Sequence, residues 1–217
     1  MTRDRGMSMT TSRLLRRVVV VGTATVVVST ASACGSIGTN DAEIATTPTP
    51  TSSAMAFNDA DVAFAQLMIP HHRQAVEMAV LAESRAQDPE VKRLAAAIKS
   101  AQQPEIDTMT GWLRAWRQPT MPPTSVGTAG HGGHGAASGM MTPEDMERLA
   151  DADGSEFDRM FVDMMIFHHI GAIQMAQDET TNGLSRNAID LAKAIIRTQT
   201  DEVTTLQRIL ARLPATP

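Results

Sequence analysis

Residues 57 to 113 and residues 154 to 210 align without a gap at a constant shift of 97 positions. Asp61 meets Asp158, Phe64 meets Phe161, and Met68-Ile69 meets Met165-Ile166. The histidine pairs His71-His72 and His168-His169 coincide, and Ala75, Met78 and Ala79 meet Ala172, Met175 and Ala176. The register survives into a second segment, where Ala97-Ile98, Gln102, Glu105 and Leu113 meet Ala194-Ile195, Gln199, Glu202 and Leu210. Two copies of one unit carry the same apolar stripe, and each can bury its stripe against the other. The chain is thus expected to hold a duplicated helical hairpin.

Helix start and stop signals agree with that reading. Asn58 and Ser155 stand as N-caps, with Asp61 and Asp158 three residues on as in a capping box. Asp88-Pro89 opens a second helix, Ser185 stands at the matching place, and Asn182-Gly183 is a stop. The spans expected are 58–86, 89–117, 155–181 and 186–212, with a short extra helix starting at Thr142-Pro143-Glu144-Asp145. Pro70 and Pro104 fall inside helices, where each removes a backbone bond. Strand signals are nearly absent. The stretch between the copies, Pro/Gly-rich from 118 to 141, is long enough to cross a helix length at ~3.3 Å per residue. The fold class expected is all-α, a ferritin-like four-helix bundle with a long crossover loop. Its domain spans 57–213: repeat one 57–117, linker 118–141, repeat two 142–213.

The seams of these helices are unusual in what they bury. Asp61, Phe64, Met68, His71, Ala75 and Met78 follow steps of 3 and 4, and so do Asp158, Phe161, Met165, His168, Ala172 and Met175. The opposing seams read Ile98, Gln102, Glu105, Met109, Trp112 and Ile195, Gln199, Glu202, Leu206, Ile209. Histidine, glutamate and glutamine therefore share a core level, at a cost of several kcal/mol unless each finds a partner. In one resolution they hydrogen-bond to each other and fix helix register. In the other, imidazoles and thioethers bind a metal, with Glu105 and Glu202 as ligands or as groups that orient the imidazoles. His72 and His169 lie ~100° round the helix from their neighbours and are expected to flank the core. The candidate metal residues are Met68, His71, His72, Met78, Met165, His168, His169, Met175, Glu105 and Glu202. Thioether with imidazole suits Cu(I) or Ag(I) better than Mg or Ca, and zinc can use His and Glu. A secondary set lies in the linker: His131 and His134 in "HGGHG", beside Met140 and Met141. Asp61 and Asp158 are read as caps rather than ligands.

The N-terminus reads as an export signal, residues 1 to 33. Arg13, Arg16 and Arg17 precede the apolar run "VVVVGTATVVV" (18 to 28), which is shorter than the ~20 residues of a membrane span. "ASAC" (31 to 34) resembles a lipobox with Cys34 as the lipidation site, although Ala31 stands where Leu is usual. Lipid anchoring on the outer face of the membrane is preferred over plain secretion after an ordinary signal-peptidase cut before Cys34. Residues 34 to 56 are a Thr/Ser/Pro-rich tether. Cys34 has no second cysteine to pair with. Without residues 1 to 33 the chain keeps 14 basic and 23 acidic residues, a net charge of about −9. That balance disfavours nucleic acid as a partner and is compatible with cations. Glu-x-x-His, P-loop and dinucleotide motifs are missing, which weighs against a di-iron oxidase and other enzymes.

Three segments, "FAQLMIPHHRQAVEMA" (64 to 79), "GMMTPEDMERLADADGSEFDRMFVDMMIFHHIGAIQMA" (139 to 176) and the Gln-x-x-Glu stretches from Gln102 and Gln199, carry a resemblance. They resemble the secreted bacterial family of domain of unknown function 305. The resemblance implies a ferritin-like four-helix bundle, generally exported, with copper binding in some relatives. The function expected is an envelope protein that sequesters or relays Cu(I) without catalysis. The competing expectation is a structural or interaction lipoprotein whose buried polar layer only sets register.

Overall fold

A computed structural model describes residues 56–121 and 139–214, all helical or connecting in character. The leader, the tether up to residue 55, Cys34, His131 and His134 lie outside the described residues. Five helices are present among them: α1 (Asp59–Arg85), α2 (Pro89–Ala115), α3 (Pro143–Asp151), α4 (Gly154–Asn182) and α5 (Arg186–Arg212). The four long helices fall within a few residues of the expected spans, and Pro70 and Pro104 sit inside continuous helices. None of the five is long and apolar enough to cross a membrane.

Most of the expected caps hold. Asn58 accepts from the Ala60 and Asp61 amides while Asp61 returns a bond to the Asn58 amide, and Thr142 and Asp145 form a second capping box. Asp88 and Ser185 cap α2 and α5. Ser155 does not cap α4. That helix starts one residue earlier, at Gly154, whose φ of 56° favours a residue without a side chain, and Asp153 precedes it without a side-chain cap bond.

Asp158, freed from the role of capping partner, reaches the other hairpin. Its carboxylate accepts from the amides of Gln87 and Asp88 at 3.0 and 2.8 Å, where α1 turns into α2. Asp61 does the reverse. It accepts from Leu184 and Ser185, where α4 turns into α5, at 3.2 and 2.8 Å. These crossed contacts put the start of each hairpin against the turn of the other, so α1 and α4 run antiparallel. α1 packs on both α2 and α4, and α4 packs on α5. α2 and α5 touch only lightly, joined by Arg212–Asp88 at 2.7 Å and by an Arg208–Glu90 ion pair. α2 therefore runs parallel to α4, and the connection between them has to travel a full helix length.

The buried seams differ slightly from the sequence reading. α2 buries Val91, Ala95, Ile98, Gln102, Ile106, Met109 and Leu113, leaving Trp112 half-buried. The core is split in two. One half gathers Met78, Ile98, Phe157, Phe161, Met165 and Leu206, and the other Phe64, Met68, Ile106, Met109, Ala172 and Ile195. The histidines lie between these halves.

Glu179 is a buried acid that the repeat does not share, since Ala82 occupies the same place in copy one and is equally buried. No N–H or O–H donor reaches its carboxyl. Burial, and then the neighbouring Asp61 carboxylate, push its pKa up to about 8. The folded chain thus keeps a proton on Glu179 up to about pH 8, whereas in the unfolded chain a glutamate loses it near ~4.3. Stability from this group is intact at low pH and declines as pH rises through that window.

Two outcomes follow from these contacts. Asp158→Ala should lose ~1–3 kcal/mol in urea denaturation, because two amides lose their acceptor. Glu179→Ala should gain stability over the parent at pH 8 and little at pH 5; an equal gain at both would refute the buried-acid account.

Candidate metal centre

Consecutive histidines on a helix point ~100° apart, so each pair sends one ring toward the opposite hairpin and one toward its own. His71 on α1 and His168 on α4 meet where the central helices cross, with ring centroids 3.7 Å apart and planes tilted by 36°. His72 instead turns to α2, and its Nε2 lies 2.7 Å from Glu105 Oε2. His169 turns to α5 and repeats the contact with Glu202 at the same distance. Ring centroids within each pair are 6.5 and 6.4 Å apart. The result is one row across the core: Glu105, His72, His71, His168, His169, Glu202.

This corrects the sequence reading in two respects. The glutamates contact His72 and His169, not the seam pair His71 and His168. And His72 and His169 do not flank the core; all four rings are fully buried. The half-exposed carboxylates lie at the ends of the row, with side-chain exposures of 21% for Glu105 and 14% for Glu202. A glutamate next to α1 or α4 has to reach the interior sideways, and the ring turned toward its own hairpin is the one within reach.

The carboxylates of Glu105 and Glu202 accept from Nε2 of His72 and His169, and each ring's Nδ1 is buried without a hydrogen-bond partner. Neither ring nitrogen of His168 has a hydrogen-bond partner of ordinary geometry. Burial holds the His168 pKa well below the usual histidine value, and the neighbouring His71 adds to the effect. The amide of Gln102 and the Gln199 carbonyl, one turn before the glutamates, are also buried and unpaired.

The methionines fall into two groups. Met68 and Met165 are fully buried one turn from the histidines, in opposite halves of the core. Met78 and Met175 stand seven residues further along, about 10 Å at the helical rise. Met78 packs in the Phe161 half, and Met175 lies beside the Phe64 half. Met141 is buried and Met140 half-buried on the segment leading to α3. Among the described residues, no three His, Cys, Asp or Glu side chains converge on a point that could hold one ion. The donors at the row are imidazole nitrogens, with thioethers a turn away.

A family model for a domain of unknown function, DUF305, matches residues 61–210. Among solved structures, the chain is similar to a DUF305 protein from Streptomyces coelicolor, described as a candidate secreted protein. The identity is 30% and the TM-score 0.64, covering 72% of this chain and 94% of that one. It is also similar to CopM in its Cu(II)-bound form, at 33% identity and TM-score 0.59, covering 70% and 96%. CopM in its Cu(I)-bound form matches at 31% identity and TM-score 0.59, covering 71% and 98%. No curated protein matches the chain.

The buried neutral ring of His168 sets a pH dependence. Below about 6.5 the unfolded chain protonates this histidine while the folded chain refuses the proton. Its stabilising contribution is thus present above that pH and lost as pH falls through it, at up to ~1.4 kcal/mol per unit. Urea denaturation of the parent between pH 7.5 and 5 should show this loss, and His168→Gln should show a shallower one.

Proposed function

The chain belongs to the DUF305 family, and we propose that it is an exported protein that binds a soft metal ion, Cu(I) above others, for sequestration or relay without catalysis. The observation that carries the proposal is the row of four buried imidazoles. Histidines that ligate metals commonly donate their other ring N–H to a carboxylate. His72 and His169 have that arrangement toward Glu105 and Glu202, with Nδ1 left over. Burial keeps His168 in the neutral form a ligand needs.

The donor set favours this class of ion. Imidazoles and thioethers, with no three His, Cys, Asp or Glu side chains converging among the described residues, form a soft set of few ligands, which suits Cu(I) and Ag(I), with Zn(II) a weaker fit. In this reading Met68 and Met165, one turn from His71 and His168, join them, whereas Met78 and Met175 stand further along the same helices. Without an ion, ring nitrogens of His72, His168 and His169 are left buried without a hydrogen-bond partner, which native cores avoid. CopM in its Cu(I)-bound form supports the same class of cargo, and its Cu(II)-bound form supports copper more generally. We also read the helices as a ferritin-like bundle made from a duplicated hairpin, with the ends of the row as the two copies' matching positions. Export rests on the leader, with lipid attachment at Cys34 preferred.

A second reading has its own observation. The paired His–Glu bonds alone could serve as a register device, closing a polar layer that makes any slip of α1 against α2 costly.

Titration of the full chain with Cu(I), Ag(I) and Zn(II), alongside His71→Ala/His168→Ala and Glu105→Gln/Glu202→Gln variants, separates them. The metal reading expects Cu(I) and Ag(I) affinity to fall at least ~10-fold in the histidine variant, a loss of one good ligand contact. It also expects a smaller fall in the glutamine variant, which keeps the fold. Equal binding by all three proteins would leave only the register role.

A further inference from the structure

The segment before α3 crosses the groove between the two central helices beside the histidines. Gly139, at φ 77°, is pressed onto α4. A Cβ there would fall 2.7 Å from the Phe167 carbonyl oxygen and 3.0 Å from Gly171 Cα, so only glycine fits. Two residues later Met141 is tied to α1. Its amide donates to Gln74 Oε1 at 2.7 Å, and the Gln74 side-chain amide donates to its carbonyl at 2.9 Å. Gln74 is three residues past His71, and Gly171 is three past His168. Because α1 and α4 are antiparallel, a strap pinned at both points spans the level where His71 and His168 meet.

Outside this strap lies a cavity of about 370 Å³. Three thioether side chains line it: Met140 and Met141 from the strap and Met164 from α4. Met164 precedes His168 by one turn. Asp163, exposed, adds a negative charge to the wall, while Asp145 there is already paired with Arg148. Met141 belongs to the apolar core and Met160 and Met164 pack against it, but packing alone does not require sulfur at the last two places. The position matching Met164 in copy one is Leu67, and that matching Met160, which lines an adjoining cavity, is Ala63. The first copy folds without a thioether at either place, so methionine on this face is a property of the second copy alone.

We propose that Met140, Met141 and Met164 form a second, solvent-open site for a soft monovalent cation, placed to pass it to the histidine row beneath the strap. The proposal rests on the soft-metal reading for the onward step, but not for binding at the cavity itself. Thioethers are neutral and polarizable, so they favour Cu(I) or Ag(I) over Zn(II), Mg(II) or Ca(II). Asp163 supplies the attraction that draws a cation to the opening.

Ag(I), which needs no reductant, is the probe. The full chain, labelled with methyl-13C methionine, is titrated with Ag(I) and separately with Zn(II), next to Met140→Leu/Met164→Leu and His71→Ala/His168→Ala. The leucine substitutions conserve volume and reproduce the copy-one residue at one position, so the fold should hold by circular dichroism. The expected result is that Ag(I), and not Zn(II), moves the Met140, Met141 and Met164 methyl resonances. The leucine variant should bind about one Ag(I) fewer per chain, and the histidine variant should keep those methyl shifts. Methyl resonances that stay still, or an unchanged silver stoichiometry in the leucine variant, would overturn the site. If only the histidine variant loses silver, the row stands and the cavity site falls. If only the leucine variant does, the reverse holds.

Discussion

Two imidazoles with ring centroids 3.7 Å apart at the crossing of α1 and α4, one of them held neutral by burial, set the terms for the rest of the domain. At that distance in a buried site both rings cannot carry charge, because like charges without solvent repel strongly. The neighbours of the pair are accordingly small or neutral. Ala75 and Ala172 stand one turn beyond each ring and are fully buried, which lets the two helices come close. The acids are displaced to the ends of the row, where Glu105 and Glu202 keep partial contact with water. Core halves on either side then have to be filled separately, one by Phe157 and Phe161, the other by Phe64, Ile106 and Leu113. A slip of one helix turn would bring a histidine into one of these apolar halves and leave a glutamate facing alkyl groups.

The places where the two copies part company follow from the same constraint. On the seam that carries the row they agree: His with His, Ala with Ala, Glu with Glu. Off that seam they drift, even next to the histidines. Pro70 is matched by Phe167, which is exposed and so free to change. Asn58 caps α1, but Ser155 leaves α4 without a side-chain cap bond, and Gly154 starts that helix instead. Ala82 is matched by Glu179, which puts an extra acid against Asp61, and Leu67 is matched by Met164. The latter two changes are not compensated in the other copy. A neutral drift would more readily swap one alkyl group for another than bury a carboxyl at some cost in stability.

The helix spans were legible because their caps are local. Asn58 with Asp61, Asp88 with Pro89, Thr142 with Asp145, and Ser185 each sit next to the amides they serve. The repeat gave the pairing of helices as well, since matching stripes imply matching packing. What the one-dimensional pattern could not supply was angular detail. A 3–4 stepped stripe places His71 and Glu105 on facing seams, but the structure rotates each hairpin so that the neighbouring ring, His72, meets the carboxylate. The difference is one residue, ~100° of helix, and nothing in the spacing distinguishes the two. Asp158 was misassigned for a related reason. A capping box and a long-range latch need the same residue type, and only the location of the Gln87 and Asp88 amides separates them. The strap at Gly139 and Met141 had no periodicity to announce it. Its signal was Gln74, a polar residue one turn past His71, whose two hydrogen bonds are visible only once the chain returns.

Charge argues for the class of ion on grounds independent of the ligand types. The penalty for bringing an ion from water into a medium of low dielectric grows with the square of its charge, so a divalent ion costs about four times what a monovalent ion costs. At the centre of the row the near neighbours are imidazoles and alanines, with His168 held neutral by burial, and each glutamate stands one ring beyond the central pair. Those carboxylates are also engaged with the Nε2 hydrogens of His72 and His169. A divalent ion at the centre would therefore meet little compensating charge. A monovalent soft ion meets polarizable donors, demands few of them, and leaves both His–Glu bonds in place. In the proposed metal reading, histidines that hold the helices in register would serve the ion without being rebuilt, so the register role and the binding role would be two consequences of one arrangement.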